Sequence, residues 1–227
     1  MSEYDATQTF YGRWARLYDR LATAPGIRSW RERTADVLAL EPGDTVVEMG
    51  VGTGANLPAL RERVGESGHV VGVDLTRGML DVAARRVAAA GWGNVHLVRA
   101  DARSPPIAGG VDAVLGSFVV GMFAEPATVV GTWLDCLAPG GRLALLDAAR
   151  SDRALARPLN AGLRTFVRLT SPGGGPRSSG TGGPSPIASL EARIDAADEA
   201  LAVGTATADE TRLAGGFARL RWGRTPE

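Results

Sequence analysis

Glu48, Gly50, Gly52 and Gly54 stand within seven residues of one another in the sequence. Glycine has no Cβ atom, so it adopts positive φ angles and lets a ligand approach the backbone. A helix that begins directly after such a loop offers N–H groups and the positive end of its dipole. This pattern predicts a site for a ligand that carries a carboxylate or a phosphate.

Two further acidic residues follow apolar runs at regular distances. Asp74 ends the run HVVGVD, and Asp101 stands in the segment RADARSPP. A carboxylate at the first position can bind the two hydroxyls of a ribose, and one at the second can accept a hydrogen bond from an adenine amino group. The loop also fits the dinucleotide pattern G-x-G-x-x-G/A through Gly50, Gly52 and Ala55, so a nicotinamide cofactor remains an alternative.

From residue 45 onward, short apolar runs alternate with segments of helical periodicity. This alternation predicts a parallel α/β sheet with helices on both faces, whose crossovers are right-handed. Thr76 is a candidate N-cap for the second of the helices. The predicted strands are residues 45–49, 69–74, 95–99, 111–118 and 142–147, and the predicted helices are residues 56–64, 78–90 and 127–137.

The chain on either side of this core has a different character. Aromatic residues at helical spacing predict a helix within residues 4–24, and a second helix is expected from Pro25. Residues 171–186 are almost entirely Gly, Ser and Pro, which predicts a mobile loop. We therefore expect a single domain over residues 1–227, in four parts: an N-terminal helical cap (1–44), a cofactor-binding core (45–147), a helix with a flexible lid (151–186), and a C-terminal helix with two edge strands (187–227).

Composition excludes several classes of protein. The 227 residues carry 25 basic and 25 acidic side chains, a balance that argues against a nucleic-acid partner. Cys136 is the single cysteine, so neither an intrachain disulfide nor a cysteine-based metal site is expected, and no metal site is predicted. The absence of an apolar leader and of an 18-residue apolar run predicts a cytoplasmic protein without a transmembrane segment. Four arginines at helical spacing leave transient contact with a membrane surface open: Arg153, Arg157, Arg164 and Arg168.

The series E-x-G-x-G-x-G, then Asp74, then Asp101 resembles the class I S-adenosylmethionine-dependent methyltransferases over about residues 45–147. The resemblance implies a Rossmann-like, doubly wound and mostly parallel seven-stranded sheet, with an antiparallel edge hairpin and N-terminal helices. It also implies S-adenosylmethionine as the cofactor. The segments YGRWARLYD and LAPGGRLALLD are similar, more loosely, to the small methyltransferases of ubiquinone and menaquinone biosynthesis and to bacterial phospholipid N-methyltransferases.

The resemblance assigns roles to individual positions. Glu48 is expected to bind the ammonium group of the cofactor, and Asp74 its ribose. Asp101 and Ala102 are expected to read the edge of the adenine. The other residues expected to line the cofactor are Gly50, Gly52, Gly54 and Asn56 in the loop, Leu75 and Met79 on either side of the adenine, Ser117 near the methionine portion, and Tyr11 and Tyr18, which would close over the site.

These assignments predict methyl transfer, by in-line displacement, to a small-molecule or lipid-like acceptor that is partly apolar. The sequence identifies no catalytic residue, although Asp147 at the end of the fifth strand is a candidate to face the acceptor. Neither His69 nor His96 is expected to act as a base. A nicotinamide-dependent oxidoreductase and a non-catalytic regulatory protein that binds S-adenosylmethionine are the alternatives.

Overall fold

The computed structural model describes residues 25–148 and 186–227. Tyr11, Tyr18 and nearly all of the predicted lid, residues 151–185, lie outside the described residues. The helices are α1 (Pro25–Val37), α2 (Leu57–Val64), α3 (Arg77–Ala90), α4 (Pro126–Leu134) and α5 (Pro186–Gly204). The strands are β1 (Thr45–Met49), β2 (His69–Asp74), β3 (Val95–Arg99), β4 (Val111–Ser117), β5 (Leu137–Ala148), β6 (Thr207–Leu213) and β7 (Ala218–Arg224).

The seven strands form one sheet in the order β3-β2-β1-β4-β5-β7-β6. Strands β1 to β5 pair in parallel, whereas β7 runs antiparallel to both β5 and β6. The second strand of the β6–β7 hairpin therefore lies between β5 and β6, and β6 forms the edge of the sheet. The doubly wound, Rossmann-like class with an antiparallel edge hairpin is confirmed.

Register brings the carboxyl ends of the central strands to one edge of the sheet. Met49 of β1 pairs with Val73 of β2 on one side and with Gly116 of β4 on the other, and Ser117 pairs with Leu146 of β5. The loops that follow these strands are consequently neighbours. In an open α/β sheet this edge, near the reversal of strand order, is where ligands bind.

Helices cover both faces of the sheet because the strands are apolar on both. On one face, Leu57, Leu60 and Val64 of α2 are fully buried in a cluster with Leu115 and Leu146. On the other face, Trp133 of α4 is buried against the sheet together with Ile194 and Leu201 of α5. This second cluster also contains Leu143 and Leu145 of β5. The sheet thus lies between two layers of helix.

Two boundaries in the core differ from the sequence-based prediction by more than one residue. Strand β5 begins at Leu137, five residues before the expected start, and α4 ends at Leu134 rather than at residue 137. The segment Pro139–Gly141 looks like a turn in sequence, but the C-terminal end of the chain pairs with it. Gly140 N donates to the carbonyl of Pro226 (2.9 Å), and Thr225 N donates to the carbonyl of Gly141 (2.9 Å).

Thr76 occupies the N-cap position of α3, as expected, but its hydroxyl makes no capping hydrogen bond to that helix. Its backbone N–H instead donates to Oδ1 of Asp74 at 2.7 Å. The start of α3 is thereby tied to the acidic residue that ends β2.

None of the helices in the described ranges is long and apolar enough to cross a membrane.

Candidate active site

The glycine loop leaves β1 in a conformation that other residues rarely adopt. Gly50 has φ of 74° and Gly52 has φ of 55°. The N–H groups of Gly50 and Val51 both donate to the carbonyl of Val73, at 2.8 and 3.0 Å, so the loop is fixed to the end of β2. A Cβ atom on Gly50 would lie 2.8 Å from Cγ2 of Val119, a separation that real Cβ atoms do not reach. Glycine is required at position 50 by both backbone angle and space.

A buried chain of polar side chains connects α1 to the end of β1. Asn56 Nδ2 donates to Oε1 of Glu48 at 2.5 Å, and Nη1 of Arg31 donates to Oδ1 of Asn56 at 2.7 Å. All three residues are less than 9% exposed. Buried charges are stable only when they are paired or hydrogen-bonded, and the amide of Asn56 joins the guanidinium of Arg31 to the carboxyl of Glu48.

These three side chains line a pocket at the carboxyl edge of the sheet, together with the glycine loop. Oε2 of Glu48, Oγ1 of Thr53 and Oγ of Ser117 are buried without a hydrogen-bond partner among the described residues. Native proteins rarely leave such atoms unsatisfied, so a cluster of three indicates a site for a polar ligand. The pocket is lined by Arg31, Glu48, Gly50, Val51, Gly52, Thr53, Ala55, Asn56 and Ser117.

Burial dominates the electrostatics of Glu48. It raises the pKa of this carboxyl to about 7, against the opposing effects of the Asn56 hydrogen bond and the positive charge of Arg31; the nearby Asp74 adds to the increase. At neutral pH the group is therefore poised between its two protonation states. A cationic ligand group placed beside Oε2 would favour the carboxylate.

Asp74 supports the glycine loop from the neighbouring strand. Its Oδ2 accepts a hydrogen bond from Gly52 N at 2.9 Å, and its Oδ1 accepts one from Thr76 N at 2.7 Å. Burial raises the pKa of this carboxyl, and these backbone donors oppose the increase. Each carboxylate oxygen has a second lone pair, so the residue can hold the loop and still accept hydrogen bonds from a ligand.

Asp101 follows β3 and belongs to a tight turn. Its carboxylate accepts hydrogen bonds from the backbone N–H of Arg103 (2.9 Å) and from the Arg103 guanidinium (2.6 Å at the shortest), which lowers its pKa. Ala102 is buried in the same turn. Ala100 N donates to the carbonyl of Asp74 at 3.1 Å, so this turn and the end of β2 are joined through the backbone.

The remaining sequence-based candidates fall into two groups. Ser117 and Asn56 lie in the pocket wall. Leu75, directly after Asp74, is half-buried, and Met79 is buried in α3. Gly54 is not among the lining residues. A Cβ atom there would lie 2.6 Å from Cδ1 of Leu57, so its smallness serves the packing of the loop on α2.

Asp147 belongs to a separate cluster. It is 4% exposed and lies on the sheet face covered by α5, and burial and the charge of Asp198 hold its pKa well above the usual range. Arg219 of β7 opposes that increase and forms an ion pair with Asp198 at 3.2 Å. Asp147 is not among the residues that line the glycine-loop pocket.

Sequence reasoning did not identify Arg31 or Thr53 as site residues. A signal for Arg31 existed, since it stands four residues after Ile27 and three before Thr34, spacings that place all three on one face of the helix expected from Pro25. Phe118 was also unforeseen: it follows β4 with φ of 56°, and the guanidinium of Arg31 lies 6.0 Å from the centre of its ring. An aromatic residue in this backbone region is uncommon and is often found at functional sites.

The two histidines lie away from the pocket. His69 begins β2 and His96 stands near the start of β3, with ring centres 5.6 Å apart at the amino-terminal edge of the sheet. No group of three or more potential metal ligands occurs within residues 25–148 and 186–227. Cys136 is a free, buried thiol.

Comparison with known proteins identifies the core of the chain. Residues 46–141 match a family model described as a methyltransferase domain. This part of the chain is a class I S-adenosylmethionine-dependent methyltransferase domain. The cofactor of that family is S-adenosylmethionine, and the recognition made from the glycine loop and its acidic residues is confirmed.

Curated relatives are similar to a little over half of the chain. A nocamycin O-methyltransferase from Saccharothrix syringae is 33% identical over 136 residues, which are 57% of this chain and 49% of that protein. A ubiquinone/menaquinone biosynthesis C-methyltransferase from Vibrio cholerae is 31% identical over 125 residues, 54% of this chain and 48% of that protein. The chain thus spans about half the length of these relatives.

Solved structures share the fold across almost the whole chain. A methyltransferase from Aquifex aeolicus has a TM-score of 0.65 at 20% identity and covers 91% of this chain, with 96% of its own length matched. The N-methyltransferase NodS from Bradyrhizobium japonicum, solved with S-adenosyl-L-homocysteine, has a TM-score of 0.65 at 19% identity and covers 97%, with 99% of its own length matched. At this identity the likeness establishes the methyltransferase fold alone.

The raised pKa of Glu48 predicts a pH-dependent effect of Glu48→Gln on stability. The folded-state pKa lies above the ordinary value of 4.5, so the stability that the neutral carboxyl supplies is complete below pH 4.5 and is lost as pH rises through about 7. Relative to the variant, the wild type should lose up to about 3 kcal/mol of unfolding free energy between pH 5 and pH 8. Urea unfolding at several pH values measures this. A difference between the two proteins that does not change with pH would show that Glu48 is ionised throughout.

Proposed function

We propose that the protein transfers the methyl group of S-adenosylmethionine to a small-molecule or lipid-like acceptor that is partly apolar. The observation that carries this proposal is the pocket at the carboxyl edge of the sheet, where buried polar atoms of Glu48, Thr53 and Ser117 have no partner among the described residues. The match to the methyltransferase family supports the same conclusion.

The charges of the pocket fit the amino-acid end of the cofactor. That end carries an ammonium and a carboxylate on one carbon, and the pocket presents a carboxyl and a guanidinium held apart by Asn56. Glu48 would bind the ammonium, and Arg31 would attract the carboxylate. The hydroxyls of Thr53 and Ser117 can each donate to or accept from the same part of the ligand.

The adenosine would be held by the residues that end β2 and β3. Asp74 is fixed by Gly52 and Thr76 with lone pairs left for two ribose hydroxyls. Asp101 and the backbone of Ala102 would read the edge of the adenine, with Leu75 and Met79 near its faces. Tyr11 and Tyr18 remain sequence-based candidates to cover the site.

The cofactor supplies an activated methyl group on a sulfonium, so the task left to the protein is to hold the acceptor in line and to exclude water. Orientation of this kind contributes roughly 7–11 kcal/mol to lowering a barrier. The pocket wall from Gly50 to Asn56 is fixed by backbone hydrogen bonds, which suits such a role. No residue is assigned as a general base. Asp147, the sequence-based candidate to face the acceptor, lies in the separate buried cluster described above.

The partly apolar nature of the acceptor is supported by the segment after β4. Residues 118–123 read FVVGMF, and Met122 is 53% exposed although its neighbours Val120 and Gly121 are buried. The relatives methylate oxygen or carbon by name, and a structural neighbour methylates nitrogen, so they support the class of reaction without naming the acceptor atom.

A cytoplasmic location is part of this proposal, since a free buried cysteine fits a reducing compartment.

A nicotinamide cofactor is disfavoured by the position of Glu48. In dinucleotide-binding loops the pyrophosphate sits against the glycines and the following helix. Here the buried carboxyl of Glu48 adjoins the same loop. An ionised carboxyl beside a pyrophosphate would repel it, whereas Asp74 could hold a ribose in either kind of cofactor.

Isothermal titration calorimetry on the full chain tests the proposal directly. We expect S-adenosylmethionine and S-adenosyl-L-homocysteine to bind, and NAD to bind much more weakly, because only the first two present an ammonium to Glu48. Binding of NAD with no response to either sulfur nucleoside would overturn the assignment.

Asp74→Ala should weaken the binding of S-adenosyl-L-homocysteine by about tenfold or more, since a charge-assisted hydrogen bond is worth about 1.5–3 kcal/mol. The 2′-deoxy analogue separates a direct ribose contact from an effect on the loop. The wild type should prefer the ribose form, and Asp74→Ala should lose most of that preference. An equal preference in both proteins would place the ribose elsewhere.

The acceptor can be sought by comparing metabolites and lipids from cells with and without the gene. The unmethylated acceptor should accumulate in the deletion strain at a mass about 14 units below the missing product, because one methyl replaces one hydrogen. Purified protein with labelled S-adenosylmethionine should then transfer the label to that compound. Failure to transfer label to any accumulated compound, in a protein that binds the cofactor, would favour the regulatory alternative.

A further inference from the structure

We infer that Trp133 is a positioning residue for adenine recognition, which it controls through a single hydrogen bond to the turn after β3. Trp133 lies on α4 and is fully buried. Its indole Nε1 donates to the carbonyl of Ala102 at 2.7 Å, across 31 positions of sequence. The inference rests on the proposed function, because it concerns the residues assigned to the adenine.

The bond fixes one peptide group from both ends. The carbonyl of the peptide between Ala102 and Arg103 accepts from Trp133, and the N–H of the same peptide donates to Oδ1 of Asp101 at 2.9 Å. A second turn bond, from Ser104 N to the carbonyl of Asp101 at 3.0 Å, closes the loop. Rotation of this peptide would break the contact to the Asp101 carboxylate, so the indole indirectly sets the direction in which that carboxylate points.

The indole itself has almost no freedom to move. Its ring lies so close to β4 that a Cβ atom on Gly116 would be 2.6 Å from Cζ3 of Trp133. On the other side, the ring of Phe123 meets it edge to face, with centres 6.0 Å apart. Trp133 therefore transmits the position of β4, the strand that ends at Ser117, to the turn that carries Asp101.

The hydrogen bonds from the Arg103 guanidinium to the Asp101 carboxylate cannot replace the bond from Trp133 in fixing this peptide group. The side chain of Arg103 is 62% exposed, and exposed ion pairs hold geometry weakly. The bond from Trp133 is buried, and a buried carbonyl that loses its donor keeps the full cost of desolvation. Without the indole N–H, the peptide would gain by turning its carbonyl toward water.

Trp133→Phe tests the inference because it keeps an aromatic ring and removes the N–H. The readout is a ratio: the Kd of S-inosyl-L-homocysteine divided by the Kd of S-adenosyl-L-homocysteine. The inosyl analogue reverses the donors and acceptors of the base edge, and sites built for one hydrogen-bonding pattern reject the reverse. We expect a large ratio in the wild type and a ratio about fivefold to tenfold smaller in the variant.

A merely structural role of Trp133 would weaken both analogues equally and leave the ratio unchanged. Val130→Ala, in the same helix and equally buried, is the matched control: it should lower stability and keep the wild-type ratio. If Trp133→Phe does not fold, benzothienylalanine at position 133, which places sulfur where the N–H stands, retains the shape and should give the same reduced ratio.

An unchanged ratio in either folded variant overturns the inference. Failure of the wild type to bind S-adenosyl-L-homocysteine at all would instead overturn the proposed function. Binding of both analogues by the wild type without discrimination would show that the turn after β3 does not read the base, and would also overturn the inference.

Discussion

Glu48 sits at the end of the central strand, where a carboxyl group has lost nearly all contact with water. An ionised carboxylate in such a place is strongly destabilising unless other groups satisfy it. Asn56 supplies a hydrogen bond, and Arg31, which donates to the same amide, supplies a positive charge nearby. One oxygen of the carboxyl has no partner among the described residues. The pKa of the carboxyl group lies near 7.

Much of the surrounding architecture follows from this buried group. The parallel sheet places the end of β1 between the ends of β2 and β4, so the residues after all three strands meet there. The glycine loop must turn sharply around the carboxyl, and Asp74 holds that turn from β2. Helix α1 packs against α2 in a way that delivers Arg31 to the same pocket. A charged pair kept in one geometry suits the recognition of a zwitterion more than it suits stability.

The sequence was most informative where local patterns decide the structure. Strands β1, β2 and β3 match their predicted bounds, because each is an apolar run that stops at a glycine, an aspartate or a loop. Strand β5 was predicted too short because its first residues pair with Thr225 and Pro226, about 85 positions away in the chain. No periodicity reveals a partner at that distance.

The site residues show the same contrast between local sequence patterns, which could be predicted, and contacts between distant parts of the chain, which could not. Glu48, Asp74 and Asp101 were identified because their order along the chain carries the pattern, and the structure places Glu48 in the pocket with Asp74 holding its loop. Arg31 was missed because its importance comes from a contact between α1 and α2, which only the folded chain brings together. Asp147 looked accessible at the end of a strand, but α5, far along the chain, buries it beside Asp198.

The central claim is that Glu48 receives the ammonium of the cofactor, and proton release on binding tests it most directly. Calorimetric titrations with S-adenosyl-L-homocysteine, in buffers that differ in ionisation enthalpy, count the protons released. Because Glu48 has a pKa of about 7 in the free protein and must be ionised in the complex, binding should release about one proton at pH 6 and almost none at pH 8. Binding that releases no proton at either pH would contradict the account.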